Sequence, residues 1–412
     1  MPETIVMVAT SYPRFPGDTV GTFMEPIAKG IAARGHEVHM VLPWHPRWQR
    51  GKREGNVFFH LFHYAPHPSL NVFGYAEALK ADVDMRWRAF VAAPLALATG
   101  WFKALRVAQK RRATMMHGHW VIPGGVLAAA ATPRLPLVIS LHGSDVYVAE
   151  RQPIAGRLAG AAFARAGWVT ACSEDLRARA VKLGADDARS GVVPYGVDSE
   201  RFRPNATARA DLRRMLGLSE STPIVFTAGR FVRKKGFEYL IDAAARLSAS
   251  VPELVVVLGG DGDLRDELTT RARQAGLGER VRFAGLLSQD AVATYLAAAD
   301  VAVVPSVRDD AGNVDGLPNV VMEALASGTP LVSTPAGGIA SVIEHEKTGL
   351  IVPERDADAL ARAIARLIDA PAERHAIGAA ARESVIARFG WERTIDRFEA
   401  AYAAARERRS QR

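Results

Sequence analysis

The sequence predicts an α/β protein made of two doubly wound, Rossmann-like units in tandem. Three observations lead there. Short β-branched runs alternate with longer helical patterns along most of the 412 residues, the signature of parallel strands joined by crossover helices. The alternation pauses in a turn-rich stretch, Pro194-Tyr195-Gly196-Val197-Asp198 with Pro204 beyond it, and then restarts. An apolar fraction of 49% is ample for more than one packed core.

In the first half, strands are expected at 5–10, 38–42, 115–117, 137–141 and 168–172, with helices at 24–34, 124–131 and 175–183. Residues 191–193 lead into the hinge. In the second half, strands are expected at 224–228, 254–258, 281–284, 301–305 and 331–333. Helices at 238–248, 264–275 and 291–299 separate them. From 357 onward the chain is Ala- and Arg-rich and helical. Ligands of such folds bind beyond the carboxyl ends of the strands, at the point where strand order reverses. Two units in tandem would put two such edges face to face across a cleft.

Composition narrows the partners. The net charge of +8 favours an anionic one: a nucleotide, an acidic lipid surface or nucleic acid. No zinc-finger spacing or aromatic RNA-binding motif occurs, and the basic residues are spread along the chain, which argues against nucleic acid. The single cysteine, Cys172, lies in the apolar run 168–172 and reads as a buried, inert thiol suited to a reducing compartment. The chain enters its first strand with no signal-peptide pattern. Its longest near-apolar stretch, 89–102, falls short of the roughly 20 residues a spanning helix needs. A cytoplasmic protein is expected. The stretch 87–112 is apolar, interrupted at Pro94 and Gly100, and flanked by Arg86, Arg88, Lys103, Arg106, Lys110, Arg111 and Arg112. It reads either as a buried helix or helix pair with snorkelling ends, or as a segment docking peripherally on the anionic inner face of a membrane.

Several chemistries are absent. His60, His63 and His67 have a spacing that suits no compact ligand face, so no metal is expected. No Gly-x-Gly-x-x-Gly follows the first strand and there is no Walker loop, which counts against NAD enzymes and NTPases, and no cofactor is expected.

The most informative segment is Asp315-Gly316-Leu317-Pro318-Asn319-Val320-Val321-Met322-Glu323. Gly316 and Pro318 break the chain, and Asn319 can cap the first turn of a helix. A helix N-terminus is a seat for phosphate. Asp315 would lie before that seat and Glu323 about a turn inside it, both suited to accepting from hydroxyls. Hydroxyls on both sides of a diphosphate describe a nucleotide-sugar. Gly229-Arg230 follows an expected strand, and Lys234-Lys235-Gly236 opens a helix. Arg230 can fork phosphate oxygens and Lys235 adds a point charge, while Arg233 and Lys234 read as solvated neighbours. The cluster Gly259-Gly260-Asp261-Gly262 allows close approach to a nucleotide, or is a plain strand-to-helix turn. Gly21 ends the loop 11–21 near the start of the first helix. His142 ends an expected strand and either positions a sugar or attacking hydroxyl, as a group titrating near neutrality, or caps the following turn. His119 is a second candidate.

The segment resembles the Glu-x7-Glu element of the retaining glycosyltransferases of family 4, and the resemblance covers nearly the whole chain. Arg230 and Lys235 match the family's diphosphate-binding pair. Pro194-Tyr195-Gly196-Val197-Asp198 is similar to its interdomain Pro-Asn-Gly-Val-Asp, with Tyr for Asn. His142-Gly143-Ser144-Asp145 and the loop ending at Gly21 match its sugar-side elements. The resemblance implies a GT-B fold with an acceptor domain at 1–194, a donor domain at 195–388 and a final helix, about 389–412, returning to the first through Phe389-Gly390-Trp391. It implies a hexosyltransferase that moves a sugar, with retention, from a nucleotide-diphosphate-sugar donor to a sugar or lipid-linked acceptor. Donor contacts would fall to Gly21, Arg230, Lys235, Gly260, Asp315, Leu317, Pro318, Asn319, Val320 and Glu323, with Glu323 on the ribose and Asp315 on the transferred sugar. His142, Asp315, Arg230 and Lys235 would carry the catalysis. The sequence departs from the family in three places. Asp315 stands where Glu is usual, Gly337-Gly338-Ile339-Ala340-Ser341 lacks the usual Pro-Glu, and the loop 11–21 has only Gly17 and Gly21 in place of paired glycines.

Overall fold

The computed structural model describes residues 2–410 apart from 66, 68, 69, 73, 76–78, 81–83 and 86. The chain forms two compact units, Met1–Tyr195 with Trp391–Arg412, and Gly196–Gly390.

The first unit carries strands β1 (Thr4–Val8), β2 (Glu37–Pro43), β3 (Arg53–Glu54), β4 (Val57–Phe62), β5 (Leu79–Lys80), β6 (Asp84–Met85), β7 (Met115–His119), β8 (Leu137–Leu141), β9 (Trp168–Ala171) and β10 (Ser190–Val192). Its helices are α1 (Met24–Ala33), α2 (Trp87–Lys110), α3 (Val126–Ala131), α4 (Ser144–Arg151), α5 (Pro153–Arg165) and α6 (Glu174–Lys182), joined by the last helix of the chain. The main sheet runs β10-β9-β8-β7-β1-β2-β4-β3 and is parallel except for the short β3. Ile5, Val6, Met7 and Val8 are fully buried because helices cover both faces of a parallel sheet. Strand order reverses between β1 and β7, which makes their carboxyl ends the switch point.

Strand β4, Val-Phe-Phe-His-Leu-Phe, has little β-branching and no clean alternation, and it escaped the sequence pattern. Helix α2 corrects another expectation. It continues unbroken through Pro94 and Gly100. Gly100 serves close packing instead, since a Cβ there would meet Leu127 Cδ1 at 3.1 Å and Phe62 Cζ at 3.2 Å. Arg86 and the side chain of Arg88 lie outside the described residues.

The second unit carries β11 (Ile224–Ala228), β12 (Val255–Gly259), β13 (Val281–Gly285), β14 (Val301–Val304), β15 (Leu331–Ser333) and β16 (Leu350–Ile351). Its helices are α7 (Ala206–Met215), α8 (Phe237–Leu247), α9 (Arg265–Gln274), α10 (Gln289–Ala298), α11 (Asn319–Ala326), α12 (Ala357–Asp369) and α13 (Pro371–Phe389). All pairings are parallel, in the order β13-β12-β11-β14-β15-β16. Alternate side chains divide between two cores, as the pleat requires. Val225, Val256 and Val301 face α8, α9 and α12, whereas Phe226, Val257 and Ala302 face α10, α11 and α13. The switch point lies between β11 and β14. Helix α14 (Trp391–Ser410) belongs to the first unit, where Ile395, Phe398 and Tyr402 join the core beside α1.

Candidate active site

At the switch point of the second unit, β11 delivers Gly229 and Arg230, and β14 leads into the loop that carries Asp315. Gly236 adopts φ 64°, and a Cβ there would lie 2.0 Å from the Pro305 carbonyl, so only glycine lets this turn press against the end of β14. The amide of Val307 donates to the Lys234 carbonyl at 2.9 Å, tying the two loops together. Lys235 lays its stem along Gly229 and brings Nζ within 2.5 Å of Asp315 Oδ2. Lys234 Nζ stands 3.0 Å from Oδ1. Burial pushes the Asp315 carboxyl up, but Lys234 and Lys235 outweigh it and hold it at about 2. It is fully ionised at neutral pH. Lys234 is therefore a buried partner of Asp315 and no solvated neighbour; its place in the short turn before α8 directs it inward. Arg233 does face solvent, forked onto Glu267 at 2.6 and 2.5 Å. Arg230 is exposed at the carboxyl end of β11.

Helix α11 begins at Asn319, with Pro318 as the N-cap and no capping side chain. Asn319 is thus the first helical residue and does not cap, because Pro318 already holds the extended conformation that a cap residue needs. The Val321 amide donates to the Pro318 carbonyl at 3.1 Å, and the helix start carries the partial positive charge that suits a phosphate. Leu317 and Val320 turn their side chains into the core, so only their backbone can face a ligand. One turn on, the Glu323 carboxylate has no hydrogen-bond or ion-pair partner among the described residues. Burial raises its carboxyl to about 7 against the weaker pull of Arg201 and Lys235. The two acids of the motif thus hold opposite electrostatic states. Asp315 is locked ionised, and Glu323 is poised near neutrality.

The glycines nearby prove to be joints. At Gly260, φ is 128° and a Cβ would fall 1.9 Å from the Gly229 carbonyl. At Gly337 a Cβ would fall 1.9 Å from the Asp315 carbonyl, and the Gly338 amide donates to Gly316 at 2.6 Å. The turn after β15 thereby braces the Asp315 loop without the family's Pro-Glu.

In the first unit, His119 ends β7 and His142 follows β8, beside the β1–α1 loop. His142 Nδ1 lies 2.8 Å from the Tyr195 hydroxyl and Nε2 lies 3.0 Å from His119 Nδ1. Phe23, Trp120 and Tyr195 enclose the ring, with centroids 4.8, 4.7 and 5.8 Å away. Burial, then His119, drives His142 well below the usual imidazole value. His142 therefore does not titrate near neutrality; it is a neutral hydrogen-bonding group. Asp145 accepts the amides of Val121 at 2.7 Å and Gly143 at 3.0 Å, which fixes the backbone around His142. The loop 11–21 is pinned by Arg14, whose guanidinium forks onto Asp18 at 2.7 and 3.0 Å with both side chains buried. Gly21 takes φ 65° against Ser11, and its carbonyl receives the Met24 amide at α1. The sequence placed Lys234 in solvent and Tyr195 only within the hinge motif, and gave no signal for Phe23, because each acts through a contact distant in sequence or through inward placement. His60 pairs with His39 at 3.0 Å and His63 stacks on Trp44, so they serve separate contacts. Among the described residues no group of three or more His, Cys, Asp or Glu is placed to hold a metal ion.

Residues 20–201 match the family described as Glycosyltransferase Family 4, and residues 208–384 match Glycosyl transferases group 1. The D-inositol 3-phosphate glycosyltransferase of Geodermatophilus obscurus is 33% identical over 312 residues, which are 71% of this chain and 67% of that one. The chain belongs to glycosyltransferase family 4. This family 4 chain is also 35% identical to the GDP-mannose-dependent alpha-(1-6)-phosphatidylinositol monomannoside mannosyltransferase of Mycobacterium tuberculosis over 225 residues. That match spans 54% of this chain and only 58% of the relative's length. Among solved structures, the sucrose-phosphate synthase of Thermosynechococcus elongatus superposes with a TM-score of 0.79 at 23% identity, over 97% of this chain and 98% of that one. The fold of the family 4 chain is GT-B, two Rossmann-like α/β domains.

Proposed function

We propose that the protein is a retaining hexosyltransferase that moves a sugar from a nucleotide-diphosphate-sugar to a sugar or lipid-linked acceptor. One observation carries the reading: the segments that leave the switch point of the second sheet carry Arg230, Lys235, Asp315 and Glu323 together with the N-terminus of α11. Arg230, Lys235 and the first-turn amides of α11 supply positive potential for a diphosphate, and they act most strongly on the charge that develops as it departs. Glu323, unpaired and desolvated, is suited to the paired hydroxyls of a ribose. Asp315, kept ionised by two lysines, is suited to hydroxyls of the transferred sugar. In the step itself the sugar C1–O bond to the diphosphate breaks as C1 bonds to the acceptor oxygen on the same face. The acceptor's proton leaves with the diphosphate. His142, neutral and held by Tyr195 and His119, orients a sugar hydroxyl and is no proton store at neutral pH. The relatives support the donor class: the mycobacterial mannosyltransferase is GDP-mannose-dependent and acts on a phosphatidylinositol monomannoside.

The test is a panel of nucleotide-sugars, following nucleoside diphosphate release and the anomeric configuration of the product by NMR. Release with an α-linked product from an α-linked donor is expected. Inversion would overturn the retaining step, recovery of an epimerised donor would make the protein an epimerase, and tight binding without release would make it a binder.

A further inference from the structure

Helix α2 is built inside out. The face it buries carries the small side chains Ala92, Ala96, Gly100, Ala104 and Ala108, with Val107 the one larger apolar residue buried among those described. Its large apolar residues point to solvent, with Trp87 69%, Val91 56%, Leu95 49%, Trp101 40% and Phe102 55% exposed. Single exposed apolar residues are ordinary, but five on one helix form a patch that calls for a partner. The patch runs into positive charge. Lys103, Arg106, Lys110 and Arg111 line a pocket of about 170 Å³ together with His60 of β4. Beside it opens a groove of about 490 Å³ lined by Leu61, Phe62, Ala98 and Phe102, sharing Lys103 and Arg106 with the first. None of Lys103, Arg106, Lys110 and Arg111 has a carboxylate partner among the described residues, whereas Arg177, Arg179, Arg271 and Arg366 are all ion-paired. The cations make themselves felt: burial, then His39, Arg111, Lys103 and Lys110, lowers His60 to about 4. No described helix is long and apolar enough to cross a membrane.

We propose that the α2 face of the first unit docks on an anionic phospholipid surface, with a lipid phosphate in the pocket of Lys103, Arg106, Lys110 and Arg111 and acyl carbons along Phe102, Leu95 and Val91. A cationic pocket joined to an apolar groove matches the two ends of an anionic amphiphile, and neither end alone accounts for both cavities. The inference deepens the proposed function by naming the surface on which a lipid-linked acceptor is met, and for that purpose alone it rests on that reading. Its geometry lies wholly in the first unit.

The experiment is co-sedimentation of the full chain with vesicles of phosphatidylcholine alone or with three parts in ten phosphatidylglycerol, at 50 mM and 500 mM salt. Nucleoside diphosphate binding by calorimetry on the same preparations reports the second unit separately. Binding to the anionic vesicles only, lost at high salt, is expected. Lys103→Ala with Arg106→Ala should weaken it about thirtyfold, at about 1 kcal/mol per cation near the surface. Phe102→Ser should weaken it too at low salt. Both variants should keep wild-type nucleotide affinity and melting temperature. Absence of binding at low salt, equal binding to neutral vesicles, or full binding by both variants would overturn the proposal. So would millimolar inorganic phosphate occupying the pocket while vesicles are ignored, which would mark a site for free phosphate. Loss of nucleotide binding with vesicle binding intact would instead strike the proposed function and leave this inference standing.

Discussion

Glu323→Gln should make the ligand-free protein more stable and the donor-bound protein weaker. Burial holds the Glu323 carboxyl at about 7 in the folded chain against an ordinary value of 4.5. Between those values the folded state carries the proton and the unfolded state does not, so stability falls as pH rises from 4.5 and levels off above 7. The gap corresponds to about 3 kcal/mol. Glutamine has no charge to desolvate, so the variant should gain up to about 3 kcal/mol at pH 8 and almost nothing at pH 4.5. The same carboxylate should ionise when ribose hydroxyls donate to it. At pH 6, where roughly nine in ten Glu323 side chains are protonated, nucleoside diphosphate binding should release close to one proton. Calorimetry in two buffers of different ionisation enthalpy reads that proton directly, and urea titrations at pH 5 and 8 read the stability. A Gln variant that is no more stable at pH 8, or wild-type binding without proton release, would refute the assignment of Glu323 as a strained hydroxyl acceptor.

The other residues predict distinct losses. Arg230→Ala and Lys235→Ala should each weaken nucleoside diphosphate binding ten- to a hundredfold, about 1.5–3 kcal/mol for a lost charge-assisted contact, with melting temperature little changed for the exposed Arg230. Asp315→Asn should spare that binding, abolish most sugar transfer and cost about 2.5 kcal/mol at pH 7 in a denaturant titration. That figure follows from a carboxyl held at about 2 against an ordinary 3.8; the stabilisation is present above 3.8 and is lost as pH falls through about 2. Gly337→Ala should cut turnover at least tenfold with nucleotide affinity largely kept, because its Cβ would displace the Asp315 loop it braces.

Much of this was legible in the sequence because the fold writes it locally. Buried parallel strands show as β-branched runs, and that sufficed for the central strands of both sheets. It failed at β4, where aromatic side chains replace β-branched ones, and at α2, which runs on through Pro94 and Gly100 although both look like breaks, with Gly100 packed on Phe62 and Leu127. Charge types and spacing marked Arg230, Lys235, Asp315 and Glu323. What they could not carry was environment. That Lys234 turns inward to share Asp315, that His142 is held neutral within an aromatic shell, and that the two carboxyls sit on opposite sides of neutrality all depend on desolvation and on loops brought together from distant segments. Gly260 and Gly337 show the same limit: the sequence offers a glycine, and only the fold shows which carbonyl it must approach.

The central claim is that the second unit binds a nucleotide-diphosphate-sugar through Arg230 and Lys235. The most direct measurement is calorimetric titration of wild type, Arg230→Ala and Lys235→Ala with UDP and GDP, followed by turnover with the corresponding sugar donors. One of the two diphosphates should bind, with affinity reduced at least tenfold in both variants, and the wild type should release that diphosphate from its sugar donor. Wild-type affinity in both folded variants, or a wild type that binds neither nucleotide and turns over no donor, would contradict it.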